Sequence, residues 1–294
     1  MINLKVDHVS KKLDKFQLKD ISFQIEAGTV MGFVGENGAG KTTTIQCILQ
    51  LLKPDSGCIE LFGEAFHFDA IHLKEQLGVV LNDIQLPPSY DVKDVEALYT
   101  AFYSNWNSEY FNKLLLRLNV PKYTRIDKMS TGTQKKLAIA ACLSYAPKLL
   151  ILDEPTSSLD PTIRDEILNI LAEHMENEEC SILISSHITS DLEKIADTVT
   201  FIHDGSIIFS ENKDELLSTF KLFKGTLRDS IDIPKSAIYG KRESAFGVEV
   251  LVKANEVSKA IPLQPATLEE LIILRTKELK RQALPKLEEV IHNE

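Results

Sequence analysis

Two short stretches of the chain combine residue types that can handle phosphate groups. The first, GENGAGKTTT, brings three glycines together with a lysine and a run of hydroxyls. Glycines allow a tight turn whose N–H groups converge on an anion, and the lysine adds positive charge. A threonine hydroxyl beside the lysine suits Mg²⁺, which prefers oxygen ligands. The stretch predicts a phosphate-binding loop made of Gly35, Glu36, Asn37, Gly38, Ala39, Gly40, Lys41, Thr42 and Thr43.

The second stretch, LLILDEP, places two adjacent carboxylates directly after an apolar run. Four consecutive apolar residues predict a buried strand, and neighbours on an extended chain point to opposite sides. Asp153 and Glu154 can therefore have different roles. We expect Asp153 to hold Mg²⁺ through water and Glu154 to polarise the water that attacks a terminal phosphate. An acidic pair alone is weak evidence, but one that follows a buried strand downstream of a phosphate loop is strong.

The residues around the glycine loop predict the elements that position it. VMGFV, residues 30–34, is apolar throughout, as expected for a strand buried on both faces. After the loop, apolar residues from Ile45 to Leu52 recur at helical spacing, and the turn cluster KPDSG ends the pattern. Strand, glycine loop and helix in this order form the context that a phosphate loop requires.

The remaining segments predict an α/β fold. INLKVDHVS and FQLKDISFQIEAG alternate apolar and polar residues, which predicts half-exposed antiparallel strands. Residues 91–146 carry helical stripes. The apolar runs at 149–152 and 181–185 flank a helical segment, and this alternation predicts a parallel sheet. Beyond about residue 221 the pattern changes: DSIDI and FGVEVLVKA predict short strands, and ATLEELIILRTKELKRQA predicts a helix capped by Thr267 and Glu270.

Composition disfavours several classes of protein. The formal net charge is −10 at pH 7, so the chain is a poor candidate for nucleic-acid binding, which needs clustered Lys and Arg. We expect a cytoplasmic chain, because no stretch approaches the ~18 apolar residues of a membrane span and the first residues lack a signal-peptide core. The cysteines lie in apolar contexts without a C-x-x-C pair, and we expect buried, reduced thiols at Cys47, Cys58, Cys142 and Cys180.

A third motif, MSTGTQKKL, lies between the glycine loop and the acidic pair. It resembles the L-S-G-G-Q signature of the nucleotide-binding subunits of ABC transporters, with Ser130 and Gly132 as its serine and second glycine. SSLD, ending at Asp160, resembles the loop that crosses to a partner subunit. ISSH, ending at His187, resembles the switch that contacts the γ-phosphate. These motifs together cover about residues 9–190 and are highly specific in combination.

The resemblance implies a P-loop NTPase fold of the ABC type, with a mixed sheet core, an antiparallel β subdomain and a helical subdomain at about residues 88–146. The ATPase domain would span residues 1–220, and a small α+β appendage would span 221–294. ATP and Mg²⁺ would be the cofactors. The resemblance implies catalytic roles for Glu154 and His187, metal contacts from Thr42, Asn82 and Asp153, and nucleotide contacts from Ser130, Thr131, Gly132 and Asp160.

The sequence departs from the family pattern at three places. Asn82 ends the strand LGVVLN where the family has a glutamine, and we assign the metal contact to Asn82 because Gln85 is out of register. Leu13 stands where an aromatic residue would stack on adenine, and Phe16 is a displaced candidate for that contact. Thr131 and Thr133 replace a glycine and the final glutamine of the signature. None of these departures removes the phosphate chemistry.

The family resemblance also implies partners. Each ATP would lie between Lys41 of one subunit and Ser130 of a second, in a homodimer or heterodimer that works with separate membrane-spanning permease subunits at the cytoplasmic face of the plasma membrane. Phrases such as MGFVGENGAGKTTTI resemble bacterial exporter ATPases, which favours export of peptides or similar amphipathic cargo. A groove for the permease would be lined or supported by Tyr90, Tyr99, Phe102, Tyr103 and Trp106.

The alternative is a soluble ABC ATPase acting on ribosomes or nucleic acid. Only one ATPase unit is present, whereas translation-linked members usually carry two. The interval from Thr42 to Met129 is too short for the coiled coil of chromosome and repair members, and the charge is acidic. A P-loop protein of another kind would leave MSTGTQ and ISSH without a role.

Overall fold

The structure, a computed structural model, describes residues 1–83, 86–245 and 247–291, with side chains through residue 282. Gln85 lies outside the described residues. The chain divides into two compact units, Met1–Ser210 and Glu211–Glu294, so the division falls before the boundary at residue 220 that the sequence led us to expect.

The first unit contains both strands and helices. In chain order they are β1 (Ile2–Lys12), β2 (Gln17–Glu26), β3 (Val30–Val34), α1 (Lys41–Ile48), β4 (Ser56–Leu61), β5 (Glu64–Ala65), α2 (Ile71–Lys74), β6 (Leu77–Val80), α3 (Val92–Phe102), α4 (Ser108–Arg117), α5 (Thr131–Leu143), β7 (Leu149–Asp153), α6 (Pro161–His174), β8 (Ser181–Ser185), α7 (Thr189–Ile195), β9 (Thr198–His203) and β10 (Ser206–Asn212), with a 3₁₀ turn at Ile126–Lys128 and β10 ending just past the division between the units.

The first sheet is antiparallel and has the strand order β2-β1-β4-β5. Strand β2 buries Leu18, Ile21, Phe23 and Ile25 while the residues between them face solvent. This alternation is what a sheet with one buried face requires. The prediction of half-exposed antiparallel strands at the start of the chain is confirmed.

The central sheet has six strands in the order β10-β9-β3-β8-β7-β6. Strand β3 pairs in parallel with β8 and β9, and β7 pairs in parallel with β6 and β8. Every residue of β3, β7 and β8 is buried, as expected for parallel strands covered on both faces. Because the strands are parallel, their carboxyl ends meet at one edge, and that edge carries the glycine loop, Asp153 and the residues after Ser185.

Helices α3, α4 and α5, which lie in the predicted helical segment at residues 91–146, have capped beginnings. Asp91 accepts hydrogen bonds from the N–H groups of Lys93 and Asp94, and Asn107 accepts one from the N–H of Tyr110. Ser130 caps α5 by accepting a hydrogen bond from the N–H of Thr133. Such caps satisfy N–H groups that have no partner within the helix, so they fix where each helix begins. The helical content predicted for residues 91–146 is confirmed.

The second unit contains α8 (Lys213–Thr219), β11 (Phe220–Gly225), β12 (Ile238–Ser244), β13 (Gly247–Lys253), β14 (Gln264–Pro265) and α9 (Leu268–Ile291), with 3₁₀ turns at Lys235–Ala237 and Ala254–Glu256. Its sheet is antiparallel, in the order β12-β13-β11-β14. Thr267 and Glu270 form the predicted capping box: the N–H of Glu270 donates to Thr267 Oγ1 over 3.1 Å, and the N–H of Thr267 donates to Glu270 Oε2 over 3.0 Å.

Two sequence predictions are wrong. DSIDI, residues 229–233, forms turns rather than a strand, because Asp229 accepts hydrogen bonds from the N–H and hydroxyl of Thr226 and closes a turn directly after β11. Cys58 is exposed, because β4 turns Ile59 and Leu61 toward the core and Cys58 therefore faces outward. The other three cysteines are buried, free thiols.

Candidate nucleotide-binding site

A cavity of about 750 Å³ lies at the carboxyl edge of the central sheet. It gathers residues from the glycine loop, from the segment between β1 and β2, and from the ends of β6, β7 and β8. Its lining residues are Leu13, Lys15, Phe16, Glu36, Asn37, Gly38, Gly40, Lys41, Thr42, Thr43, Asn82, Glu154, Ser157, Ser158 and His187.

The glycine loop has the backbone geometry that its sequence predicts. Gly38 and Gly40 have φ angles of +81° and +115°, a region that residues with a Cβ rarely adopt. A Cβ at Gly40 would lie 2.7 Å from Leu18 Cδ2 and 2.8 Å from Phe16 Cζ, so the site has no room for a side chain. Helix α1 begins at the next residue, Lys41, and its unpaired N–H groups open toward the loop.

Lys41 is held inside the loop and is only 6% exposed. Its Nζ donates to the carbonyl oxygens of Gly35 over 2.7 Å and Glu36 over 3.3 Å, and it lies 3.9 Å from Glu154 Oε1. Burial lowers the pKa of Lys41, while the carboxylates of Glu154 and Asp153 act in the opposite direction. The ammonium is therefore fixed where an anionic group entering the loop would meet it.

Asp153 is 1% exposed and both of its carboxylate oxygens have partners. Thr42 Oγ1 donates to Oδ2 over 3.0 Å, and Ser185 Oγ donates to Oδ1 over 2.5 Å. The hydroxyl and the carboxylate are adjacent hard oxygen donors, and the cavity gives access to Thr42, so this pair fits the ligand preference of Mg²⁺. Ser185 was not singled out by sequence reasoning, although its position in ISSH, opposite Asp153 in the parallel register, is a usable signal.

Glu154 occupies a different environment from its neighbour. Its φ angle is +53°, and its N–H donates to Ser185 Oγ over 3.0 Å. The side chain is 14% exposed, and Oε2 lies 2.5 Å from Nδ1 of the half-exposed His187. The structure thus brings Glu154, His187 and Lys41 together at one wall of the cavity.

Leu13 and Phe16 lie at the other end of the cavity. Leu13 is 37% exposed, and its N–H donates to the carbonyl oxygen of Phe16 over 2.8 Å, which closes the tip of the β1–β2 connection. Phe16 packs partly into the core beside Gly40. Leu13 is therefore the more available of the two for contact with a base.

Asn82 lines the cavity, but its Oδ1 accepts a hydrogen bond from Lys135 Nζ over 3.1 Å. Burial lowers the pKa of Lys135, and the carboxylates of Glu154 and Asp153 oppose that shift. Sequence reasoning missed Lys135 because QKKL contains two lysines, and only the helix register shows which one points inward.

The signature residues Ser130, Thr131 and Gly132 do not line the cavity of their own chain. Ser130 and Thr131 are exposed at the beginning of α5. Asp160 lies outside the cavity lining as well, and it caps α6 by accepting from the N–H groups of Thr162 and Ile163. The structure therefore separates these four predicted nucleotide contacts from the glycine loop.

The chain is similar to known proteins. A family model described as ABC transporter matches residues 18–157. The chain is 29% identical over 301 residues to the ABC transporter ATP-binding protein YtrB of Bacillus subtilis (strain 168), a match that covers 100% of this chain and 94% of YtrB. It is 30% identical over 232 residues to the Nod factor export ATP-binding protein I of Burkholderia lata, covering 74% of this chain and 76% of that protein.

A solved structure supports the same assignment. The structure of cbiO1 from Clostridium perfringens, part of the ABC transporter complex cbiONQ, superposes with a TM-score of 0.62 at 29% identity, covering 74% of this chain and 91% of that one. Among the described residues, no helix has the length and apolar character to cross a membrane. The chain belongs to the ATP-binding subunits of ABC transporters, the ATPases whose hydrolysis of ATP is coupled to transport.

Proposed function

We propose that this subunit powers export through separate membrane-spanning permease subunits, with a peptide or similar amphipathic molecule as the cargo. The observation that carries the proposal is the cavity beside the glycine loop, which Lys41 and Glu154 line and where Thr42 is hydrogen-bonded to Asp153. The similarity to a Nod factor export protein supports the outward direction. The permease would select the cargo, since the cavity of this chain is built for phosphate groups.

The side chains around the cavity have different roles in hydrolysis. Lys41 and the loop N–H groups hold the terminal phosphates. Thr42 and Asp153 would hold Mg²⁺, which neutralises phosphate charge when bound, and Asn82 would approach it from the neighbouring strand end. Glu154 polarises the attacking water and takes its proton as the water oxygen bonds to the γ-phosphorus and the bond to ADP breaks. His187 holds the Glu154 carboxylate through their 2.5 Å contact.

Two chains act together in this proposal. Ser130, Thr131, Gly132 and Asp160 lie away from the cavity of their own chain, and Ser130 and Thr131 are exposed at a helix N-terminus, where N–H groups favour an anion. We infer a head-to-tail pair in which these residues contact the nucleotide held by the partner subunit. ATP would then join the two chains, and its hydrolysis would release them.

A second cavity, of about 370 Å³, supports a permease docking surface. Its lining includes Ile71, Leu98, Tyr99, Phe102 and Tyr103. Three aromatic residues of the expected set are half-buried and pack on other rings, as in the 3.7 Å contact between the Tyr103 and Tyr145 ring centroids. Phe102 is 69% exposed, and Tyr90 is not among the lining residues. Phe102 is therefore the residue of the set best placed to contact a partner, and aromatic anchors of this kind often dominate docking.

The test is the variant Phe102→Asp, expressed together with the cognate membrane subunits. We expect the variant to fold and bind ATP alone, but to lose copurification with the membrane subunits and transport into inside-out vesicles. Leu116→Asp is the matched control, because Leu116 is 72% exposed and lies outside this cavity. Normal assembly of Phe102→Asp would move the docking surface elsewhere. Cofractionation of the native protein with ribosomes instead of membranes would favour the soluble alternative.

A further inference from the structure

Lys135 is a buried cation on the inner face of α5. It is 4% exposed, and its Nζ donates to Asn82 Oδ1 over 3.1 Å, to the Glu154 carbonyl oxygen over 2.8 Å and to Ser157 Oγ over 2.5 Å. A buried ammonium is costly unless hydrogen bonds compensate for the lost water. All of these acceptors lie on the loops that follow β6 and β7, so this one group joins α5 to both loops.

The contact with Glu154 bears on the shape of the backbone. Glu154 is in the left-handed region, where a residue with a Cβ is held only by its surroundings. Its N–H donates to Ser185 Oγ, and its carbonyl oxygen accepts from both Lys135 Nζ and Ser157 Oγ, the latter over 2.9 Å. These bonds fix the peptide groups on both sides of the Glu154 Cα, and therefore the direction in which its carboxylate enters the cavity.

We propose that Lys135 is a positioning residue for hydrolysis: it holds Glu154 in the orientation that activates water and holds Asn82 beside it. This inference rests on the proposed role of Glu154 as the base. Lys135 lies little more than one helical turn after Ser130 on the same helix. The helix that meets the nucleotide of the partner subunit thus also fixes the catalytic carboxylate of its own chain, and this links the two sites of a pair.

The first experiment compares Lys135→Met with Lys136→Met in the full chain. Both substitutions remove one lysine from the same helix, but Lys135 is buried against the loops after β6 and β7, whereas Lys136 is half-buried. We expect Lys135→Met to lower kcat by about tenfold or more while the Kd for ATP stays within about twofold, since only transition-state positioning is lost. Lys136→Met should leave both unchanged. Lys135→Arg should recover part of kcat, because the guanidinium restores charge and donors.

The deciding experiment is a double-mutant cycle with Glu154→Gln, read by single-turnover hydrolysis of ATP. If Lys135 acts through Glu154, Lys135→Met should cost nothing further once Glu154→Gln is present. The positioning role would be overturned if the rate losses of the two single variants multiplied in the double variant. It would also be overturned if Lys135→Met had the native kcat. Normal turnover by Glu154→Gln alone would instead overturn the base assignment, so the two failures are distinguishable.

A further variant allows the test to be made even if Lys135→Met does not fold. Should Lys135→Met not fold, Ser157→Ala takes its place in the cycle, because it removes one hydrogen bond to the Glu154 carbonyl oxygen and one acceptor of Lys135 Nζ, while the chain keeps the lysine itself. We expect Ser157→Ala to lower kcat as Lys135→Met does, but by a smaller factor. The inference would be overturned if Ser157→Ala left kcat unchanged and the rate losses of Lys135→Arg and Glu154→Gln multiplied when the two substitutions were combined.

Discussion

The two ends of the nucleotide cavity are built differently. At the phosphate end, Lys41, Asp153 and Glu154 are buried or nearly so, and each has partners that fix its orientation. At the base end, of the two candidates for base contact, Leu13 is 37% exposed and Phe16 packs beside Gly40. From this difference we propose that the subunit recognises the triphosphate through fixed charges and the base through little more than aliphatic contact.

We expect the phosphate end to carry the chemistry, because its charged groups are preorganised. Groups that already point at the reacting atoms need no reorganisation when charge develops, and they act more strongly wherever water is excluded. An exposed leucine offers dispersion contacts but no directed interaction with a purine. Substitutions at the phosphate end should therefore change turnover or affinity greatly, and substitutions at the base end should change them little.

The largest effect is expected from Glu154→Gln. The amide cannot take a proton from water, so kcat should fall by about 10²–10⁴-fold, the usual contribution of a general base. ATP binding should persist, because the phosphate contacts of Lys41 and the loop remain. Steady-state hydrolysis and size-exclusion chromatography with ATP measure the two properties. We expect the variant to elute as a stable ATP-bound dimer.

Near-normal hydrolysis by Glu154→Gln would show that Glu154 is not the base. It would then contradict the proposed difference between the two ends of the cavity. His187→Ala sharpens the same point. His187 is half-exposed and acts on the Glu154 carboxylate through their direct contact, so its removal should cost less than removal of the carboxylate.

The next effect in size concerns affinity. Lys41→Met removes a charge-assisted contact worth about 1.5–3 kcal/mol, which corresponds to roughly 10- to 150-fold in the Kd for ATP. Lys53→Met is the matched control, because Lys53 is an exposed lysine outside the cavity lining. Titration with a fluorescent ATP analogue measures both. Equal affinities for the two variants would show that the loop N–H groups suffice without the ammonium.

The local backbone structure at the phosphate end could be predicted from the sequence, for physical reasons. The glycine spacing, the preceding buried strand and the two carboxylates are set by local chain geometry, so LLILDEP and GENGAGKTTT point to their structure directly. Lys135 could not be identified this way, because its importance comes from loops that meet α5 only in the folded chain. The turns at DSIDI and the outward face of Cys58 were missed for a related reason: a side-chain hydrogen bond closes one, and the register of β4 decides the other.

The smallest effect is expected at the base end. If base contact is weak, GTP should support hydrolysis within about tenfold of ATP, a difference of only ~1.4 kcal/mol. Leu13→Tyr should then tighten ATP binding by about 0.5–1.5 kcal/mol, because an aromatic ring can stack on the purine. Titration with ATP, GTP and tripolyphosphate measures the change in affinity. Because tripolyphosphate has no base, Leu13→Tyr should not change the affinity for it.

Phe16→Ala decides between the two candidates for base contact. If Phe16→Ala loses affinity for ATP but not for tripolyphosphate, and Leu13→Tyr gains no affinity for ATP, Phe16 is the residue that stacks on the base. That result would contradict the proposal that base contact is weak. A loss shared by all three ligands would instead reflect the position of Phe16 against Gly40, where its ring supports the glycine loop. Since Phe16 already packs partly into the core, we expect the shared loss, which would place its contribution at the phosphate end of the cavity.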